Sequence, residues 1–143
     1  MKYGLDVPPF EEYSDPRVMA EFAYEAEQAG WDAFFTWDHL WLGMREPLVD
    51  PWVALSAVAM RTERIRIGAM VTPVARRRPW QLARTTASLD HLSNGRLIFG
   101  VGLGSPTDVE FGVFGMETDN KVRAKQLDEG LDVLKGLWSG EPF

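Results

Sequence analysis

Cysteine is absent from this 143-residue chain, which excludes disulfides, thiolate nucleophiles and zinc–thiolate centres. Histidine is scarce. His39 and His91 are the whole supply, too few for a histidine-rich metal centre, so no metal site is expected. No apolar run approaches the roughly 18 residues of a membrane span, and Met1-Lys2-Tyr3-Gly4 opens without the apolar stretch of a secretory signal. A cytoplasmic protein with no membrane partner is the expectation. Basic residues are outnumbered, 15 against 21 acidic, for a net charge of −6. That balance argues against a nucleic-acid partner, because duplex affinity rests on neutralising phosphates with a basic surface.

The chain has enough apolar residues for one domain spanning residues 1–143, since 45% hydrophobic content can bury a real core at this length. Its organising signal is a unit of roughly 30 residues, found four times: a short apolar run, a loop, then a longer amphipathic segment. The strand candidates are residues 2–7, 32–37, 65–71 and 96–102. They are near-continuous apolar runs, the pattern of parallel strands covered on both faces, and their alternation with helices makes the fold class α/β.

Helix punctuation agrees. Ser14-Asp15-Pro16 supplies a cap and a first-turn proline, and Gly30 stands where a left-handed terminator is wanted. Between them Val18, Met19, Phe22, Ala23, Ala26 and Ala29 form one stripe. Asp50-Pro51 opens a second helix running to about Arg61, Pro79 a third that stops at Asn94-Gly95, and Asp119-Asn120 a fourth that reaches Ser139-Gly140. Irregular chain is expected over residues 40–49 and 103–118, both after strands. In right-handed β/α units such loops gather on the face where ligands bind.

Chemistry is therefore sought at the strand ends. Thr36-Trp37-Asp38-His39-Leu40-Trp41 places a carboxylate, an imidazole and two indoles there. Histidine titrates near neutral pH and suits general acid or base work, Asp38 can orient it or meet a ligand, and Trp37 and Trp41 stand where a planar ring can stack. His91 falls in the last turn of the third helix, where the helix dipole favours a structural imidazole. After the third strand, Gly68-Ala69-Met70-Val71-Thr72-Pro73 offers small residues and a proline stop before Arg76-Arg77-Arg78. The three arginines read as a solvated loop, or else as a dock for a phosphate or carboxylate. Gly100-Val101-Gly102-Leu103-Gly104-Ser105 is a glycine-rich turn whose amides can cradle a phosphate, though it lacks the full dinucleotide fingerprint.

Taken in order, Ala29-Gly30-Trp31-Asp32, Trp37-Asp38-His39, Asp50-Pro51-Trp52, Thr62-Glu63-Arg64-Ile65-Arg66-Ile67-Gly68, Leu89-Asp90-His91-Leu92-Ser93-Asn94-Gly95-Arg96, Gly100-Val101-Gly102 and Gly136-Leu137-Trp138-Ser139-Gly140 resemble the luciferase-like monooxygenase superfamily. The likeness is strongest to members dependent on coenzyme F420, an 8-hydroxy-5-deazaflavin, and it covers essentially the whole chain. It implies a (β/α)8 barrel of the TIM type, of which residues 1–143 carry the first four units. It also implies an oxidoreductase moving hydride between F420 and a small organic substrate, with an FMN-dependent monooxygenase as the alternative. By the family's pattern Asp38 and His39 contact the ring, with His39 as base or proton relay. A non-proline cis peptide maps to Ala69-Met70 on the third strand, Thr72 follows it beside the cofactor, and the amides near Gly102, Leu103 and Gly104 approach the phosphate or ribityl chain.

Ser105 departs from the pattern, since sugar-phosphate dehydrogenases of this kind carry a catalytic glutamate in that turn. Their substrate arrangement is therefore not carried over. A complete barrel of this type needs about 250 residues. The expected completion is a two-fold homodimer in which the fourth strand of each copy abuts the first strand of the other. The reading from another class is a half-barrel that binds cofactor or assembles without turnover.

Overall fold

The computed structural model describes residues 1–43 and 45–142; Met44, inside the loop expected after the second strand, lies outside them. Three parallel strands, β1 (Gly4–Val7), β2 (Ala33–Thr36) and β3 (Arg66–Ala69), form one sheet in that order. The register places Leu5, Phe34 and Ile67 in one row and Asp6, Phe35 and Gly68 in the next. A second, two-stranded parallel ladder joins β4 (Thr72–Pro73) to β5 (Val101–Gly102).

The connecting helices are α1 (Pro16–Gln28), α2 (Pro51–Arg61) and α3 (Pro79–Leu92), with a single turn α4 (Thr107–Glu110) and the long α5 (Asn120–Ser139) after β5. Their starts follow local chemistry. Asp15, Asp50 and Asp119 each accept backbone N–H bonds from the first turn of α1, α2 and α5, and a proline opens α1, α2 and α3. No helix among the described residues is long and apolar enough to cross a membrane.

The core lies between helices and sheet, with Met19, Phe34, Leu55, Val58, Ile67 and Leu134 all fully buried. The other face of the sheet is not covered as the apolar runs led us to expect: Gly4, Asp6, Arg66 and Met70 are exposed and Phe35 is half-buried. Burial alternates along β1 but not along β3, where Ile67, Gly68 and Ala69 are all buried. On α1 the stripe is narrower than its spacing implies. Val18 and Ala29 face solvent, while Glu27 joins Met19, Ala23 and Ala26 in the interior.

The expected strand over residues 96–102 is present only in part. Ile67 N donates to Arg96 O and Ile98 N to Ile67 O, making one isolated bridge, and regular pairing resumes at Val101 and Gly102. Between them the third strand leaves its ladder after Ala69 and rejoins at Thr72. Two short ladders replace the two continuous strands of the sequence reading.

Glu27 shows why a carboxylate is tolerated inside. Its oxygens accept the amides of Glu63, Arg64 and Ile65 at 3.1, 2.6 and 2.8 Å. Burial alone pushes its pKa up, but those three backbone bonds and the nearby Arg64 charge outweigh it, so the group is held below its ordinary 4.5. Because the folded pKa is depressed, its contribution is complete above pH 4.5 and is lost as pH falls through the lowered value. Glu27→Gln is expected to cost about 2 kcal/mol at pH 7 and to flatten the acid limb of the stability curve. Urea unfolding at pH 7 and pH 3 checks this; an equal loss at both would refute it.

Candidate functional site

The end of β2 turns at Trp37-Asp38-His39, and buried charges hold that turn. Thr36 at the last ladder position donates its hydroxyl to Val7 O at 2.9 Å, tying β2 to β1. Asp38 is buried, and its carboxylate accepts from Arg76 Nη2 at 2.8 Å, Arg77 Nε at 2.8 Å and Arg77 Nη2 at 2.5 Å. Arg76 also donates to the backbone oxygen of Asp38 at 2.6 Å and, through Nη1, to Glu110. Glu110 is fully buried at the end of α4 and accepts the amides of Leu40 and Trp41, both at 3.0 Å. Two carboxylates thus face two guanidiniums. This balance makes their burial tolerable, since a buried charge without a partner costs several kcal/mol.

His39 projects from this knot. Its Nδ1 is 3.2 Å from Glu110 Oε1, within ion-pair reach but outside hydrogen-bond geometry. The ring meets Trp37 edge-on, with centroids 5.8 Å apart, and Trp37 donates its indole N–H to Asp6 at 3.0 Å. His39 Nε2 has no hydrogen-bond partner among the described residues.

Beside it lies a cavity of about 310 Å³ lined by Trp37, Asp38, His39, Met70, Val71, Pro73, Arg76, Gly104, Ser105 and Glu110. Of the residues singled out from sequence, the fold brings Asp38, His39, Met70 and Gly104 together here. Ala69 is fixed in the ladder opposite Thr36, Thr72 is buried with its hydroxyl unpartnered, and Gly102 and Leu103 do not line the cavity. His91 is exposed on α3, in a separate place.

The cis peptide is Met70–Val71, one residue beyond the expected Ala69-Met70. The ladder accounts for the offset: Ala69 is still in register with Thr36, and Met70 N donates to Thr36 O at 2.8 Å. The arginine run also departs from expectation. Arg76 is buried and Arg77 mostly so, both bound to Asp38; only Arg78 faces solvent.

The glycine-rich turn is held from behind. Arg123 of α5 is 1% exposed, donates to Leu103 O at 2.7 Å, Gly104 O at 3.3 Å and Thr107 Oγ1 at 2.8 Å, and lies 4.2 Å from the Phe111 ring centre. With those carbonyls turned toward Arg123, the amides of Leu103, Gly104 and Ser105 have no hydrogen-bond partner among the described residues. Gly104 sits at φ +80°, and a Cβ there would press on Pro73 at 2.9 Å, so the turn needs glycine. Free amides, an unpartnered His39 nitrogen and an aromatic wall fit a planar cofactor bearing an anionic chain.

Sequence reasoning missed Glu110 and Arg123. The available signal was Glu110 between Val109 and Phe111, a carboxylate flanked by apolar residues.

The profile of a family described as luciferase-like monooxygenase matches residues 4–143. The F420-dependent glucose-6-phosphate dehydrogenase of Amycolatopsis mediterranei is 37% identical over 130 residues, covering 88% of this chain and 39% of its own length. Among solved structures, an F420-dependent secondary alcohol dehydrogenase in complex with an F420–acetone adduct superposes with a TM-score of 0.84 at 26% identity, over 98% of this chain and 42% of that one. The monooxygenase RslO1 of Streptomyces bottropensis superposes with a TM-score of 0.83 at 29% identity, over 100% of this chain and 44% of that one. The chain spans about two fifths of the length of these relatives.

Proposed function

We propose a function from one premise: this chain belongs to the luciferase-like monooxygenase family. The cavity beside His39 is the chain's share of a flavin-type cofactor site in an oxidoreductase. The deazaflavin F420 is the favoured cofactor and a small organic molecule the substrate, a reading supported by the F420-dependent dehydrogenases among the relatives. When bound, the deazaflavin supplies the hydride chemistry.

The chain's own residues bind, orient and move a proton. The observation that carries the reading is His39, whose buried Nδ1 lies 3.2 Å from the Glu110 carboxylate without a hydrogen bond, and whose Nε2 makes no hydrogen bond to the described residues. In that arrangement Nε2 takes or gives the proton while the Glu110 carboxylate lies beside Nδ1. Asp38, engaged by Arg76 and Arg77, holds the turn that presents His39. Met70, 44% exposed at the cavity, and the indole of Trp37 offer flat apolar contact, and the amides of Gly104 and Ser105 receive an anionic group of the cofactor. With Ser105 in the turn, no carboxylate is available there to handle a sugar hydroxyl.

Absorbance titration with F420 and with FMN tests the reading. F420 is expected to bind more tightly, and His39→Asn to keep that affinity within about threefold while slowing turnover by 10²–10⁴-fold, roughly the contribution of a positioned acid–base group. Tighter binding of FMN would favour a monooxygenase instead, and no spectral change with either would defeat both.

Turnover on this reading requires a completed barrel. The edges available for completion are β1 and the residue 97–102 run, and two copies related by a two-fold axis bring the fourth strand of each against the first of the other. Light scattering is then expected to give twice the 16.2 kDa chain mass. A stable monomer overturns that homodimer.

A further inference from the structure

Where α2 packs beside the start of α3 there is a second cavity, of about 560 Å³, lined among others by Trp52, Arg76, Arg77, Arg78, Gln81 and Arg84. Arg76 lines this cavity and the one beside His39. The charges do not cancel here. Arg76 and Arg77 are matched by Asp38 and Glu110, whereas Arg78 and Arg84 have no carboxylate within ion-pair distance among the described residues. Two positive charges are left over on one concave surface of a chain whose net charge is −6.

Three further features point the same way. Arg76 Nε is buried and has no hydrogen-bond partner, although the side chain is only 2% exposed. A buried N–H donor of this kind is normally satisfied. The N-terminus of α3 contributes Arg78, its N-cap residue, and Gln81 to the lining, and this 14-residue helix lacks the side-chain cap that Asp15, Asp50 and Asp119 give to α1, α2 and α5, so its positive end is unmet. Finally, the indole of Trp52, with Arg77 5.9 Å from its ring centre, gives the cavity one apolar wall.

We propose that this cavity is a binding site for a small phosphate-bearing dianion, separate from the cofactor cavity. Two uncompensated guanidiniums match a charge of two, and their planar forks suit phosphate oxygens in paired hydrogen bonds. The Trp52 wall accommodates an organic group attached to the phosphate. This site does not depend on the flavin reading.

Isothermal titration of the full chain tests it, using inorganic phosphate and phenyl phosphate at pH 7.5 with ionic strength held constant by sodium chloride. Both probes are expected to give saturable one-site binding. Tighter binding of phenyl phosphate would identify a phosphate monoester as the natural class, and equal binding would identify inorganic phosphate; either supports the site. Arg78→Gln/Arg84→Gln is expected to weaken both probes by about tenfold or more. Both arginines face solvent, so this variant keeps its melting temperature, and Arg66→Gln, exposed on the sheet, serves as the charge control. The proposal is overturned if no saturable heat appears above the chloride background, if the double variant binds as tightly as the parent, or if Arg66→Gln weakens binding equally.

Discussion

Glu110→Ala is expected to lower the thermal midpoint by about 10 °C or more, the largest stability effect of any single substitution at the cavity. The carboxylate is fully buried and serves four groups at once: the amides of Leu40 and Trp41, the guanidinium of Arg76 and the imidazole of His39. Truncation leaves Arg76, whose side chain is 2% exposed, with one carboxylate where it had two, and removes the acceptor from two part-buried N–H groups. Breaking a buried pair from one side costs about 3–5 kcal/mol, and loss of the hydrogen-bond acceptor adds to it. Glu110→Gln is expected to fall between parent and alanine variant, since the amide oxygen still accepts one N–H but carries no charge. Calorimetry on the three proteins gives the order. A midpoint for Glu110→Ala within 2 °C of the parent would show that the network contributes little.

Gly68→Ala is expected to be destabilising by about 3 kcal/mol, the upper end for an overpacked site. An added Cβ would run into Ile98 O, and backbone cannot rotate out of the way as a long side chain can. The substituted chain must move β3 away from the residue 96–98 segment, stretching the Ile98 N to Ile67 O bond of 2.7 Å. Amide exchange at Ile98 reads this locally: protection there is expected to fall more than at Phe34, inside the three-stranded ladder. Unchanged protection at Ile98 would mean that the neighbouring segment gives way without cost.

These two positions also mark where reading the sequence succeeds and where it stops. Four β/α units were legible because their signals are local. A proline or aspartate sets each helix start within two or three residues, and the strands are short apolar runs. The strand-end position of Asp38 and His39 followed from that order alone. Arg76 looked like a surface residue because three consecutive arginines usually stay in water, and only the fold brings Asp38 and Glu110 to it from 38 and 34 positions away. Arg123 was illegible for a similar reason, as the carbonyls it holds lie 19 and 20 positions earlier. The small residues near the end of β3 permit a close approach, and the neighbour that approaches is the fourth segment of this same chain. No periodicity reveals that.

The contact between Glu110 and the Leu40–Trp41 amides has a consequence for the order in which the chain acquires its shape. It joins positions 69 and 70 residues apart, whereas β1 and β2 pair at a separation of 29. Loop-closure entropy makes the longer connection the more costly to form first. The β1–β2–β3 ladder can therefore assemble while the turn bearing His39 still lacks its anchor. The contacts of Asp38 to Arg76 and Arg77, 38 and 39 positions apart, hold that turn in part, and the cavity is expected to be completed later, when the segment after β5 brings in Glu110.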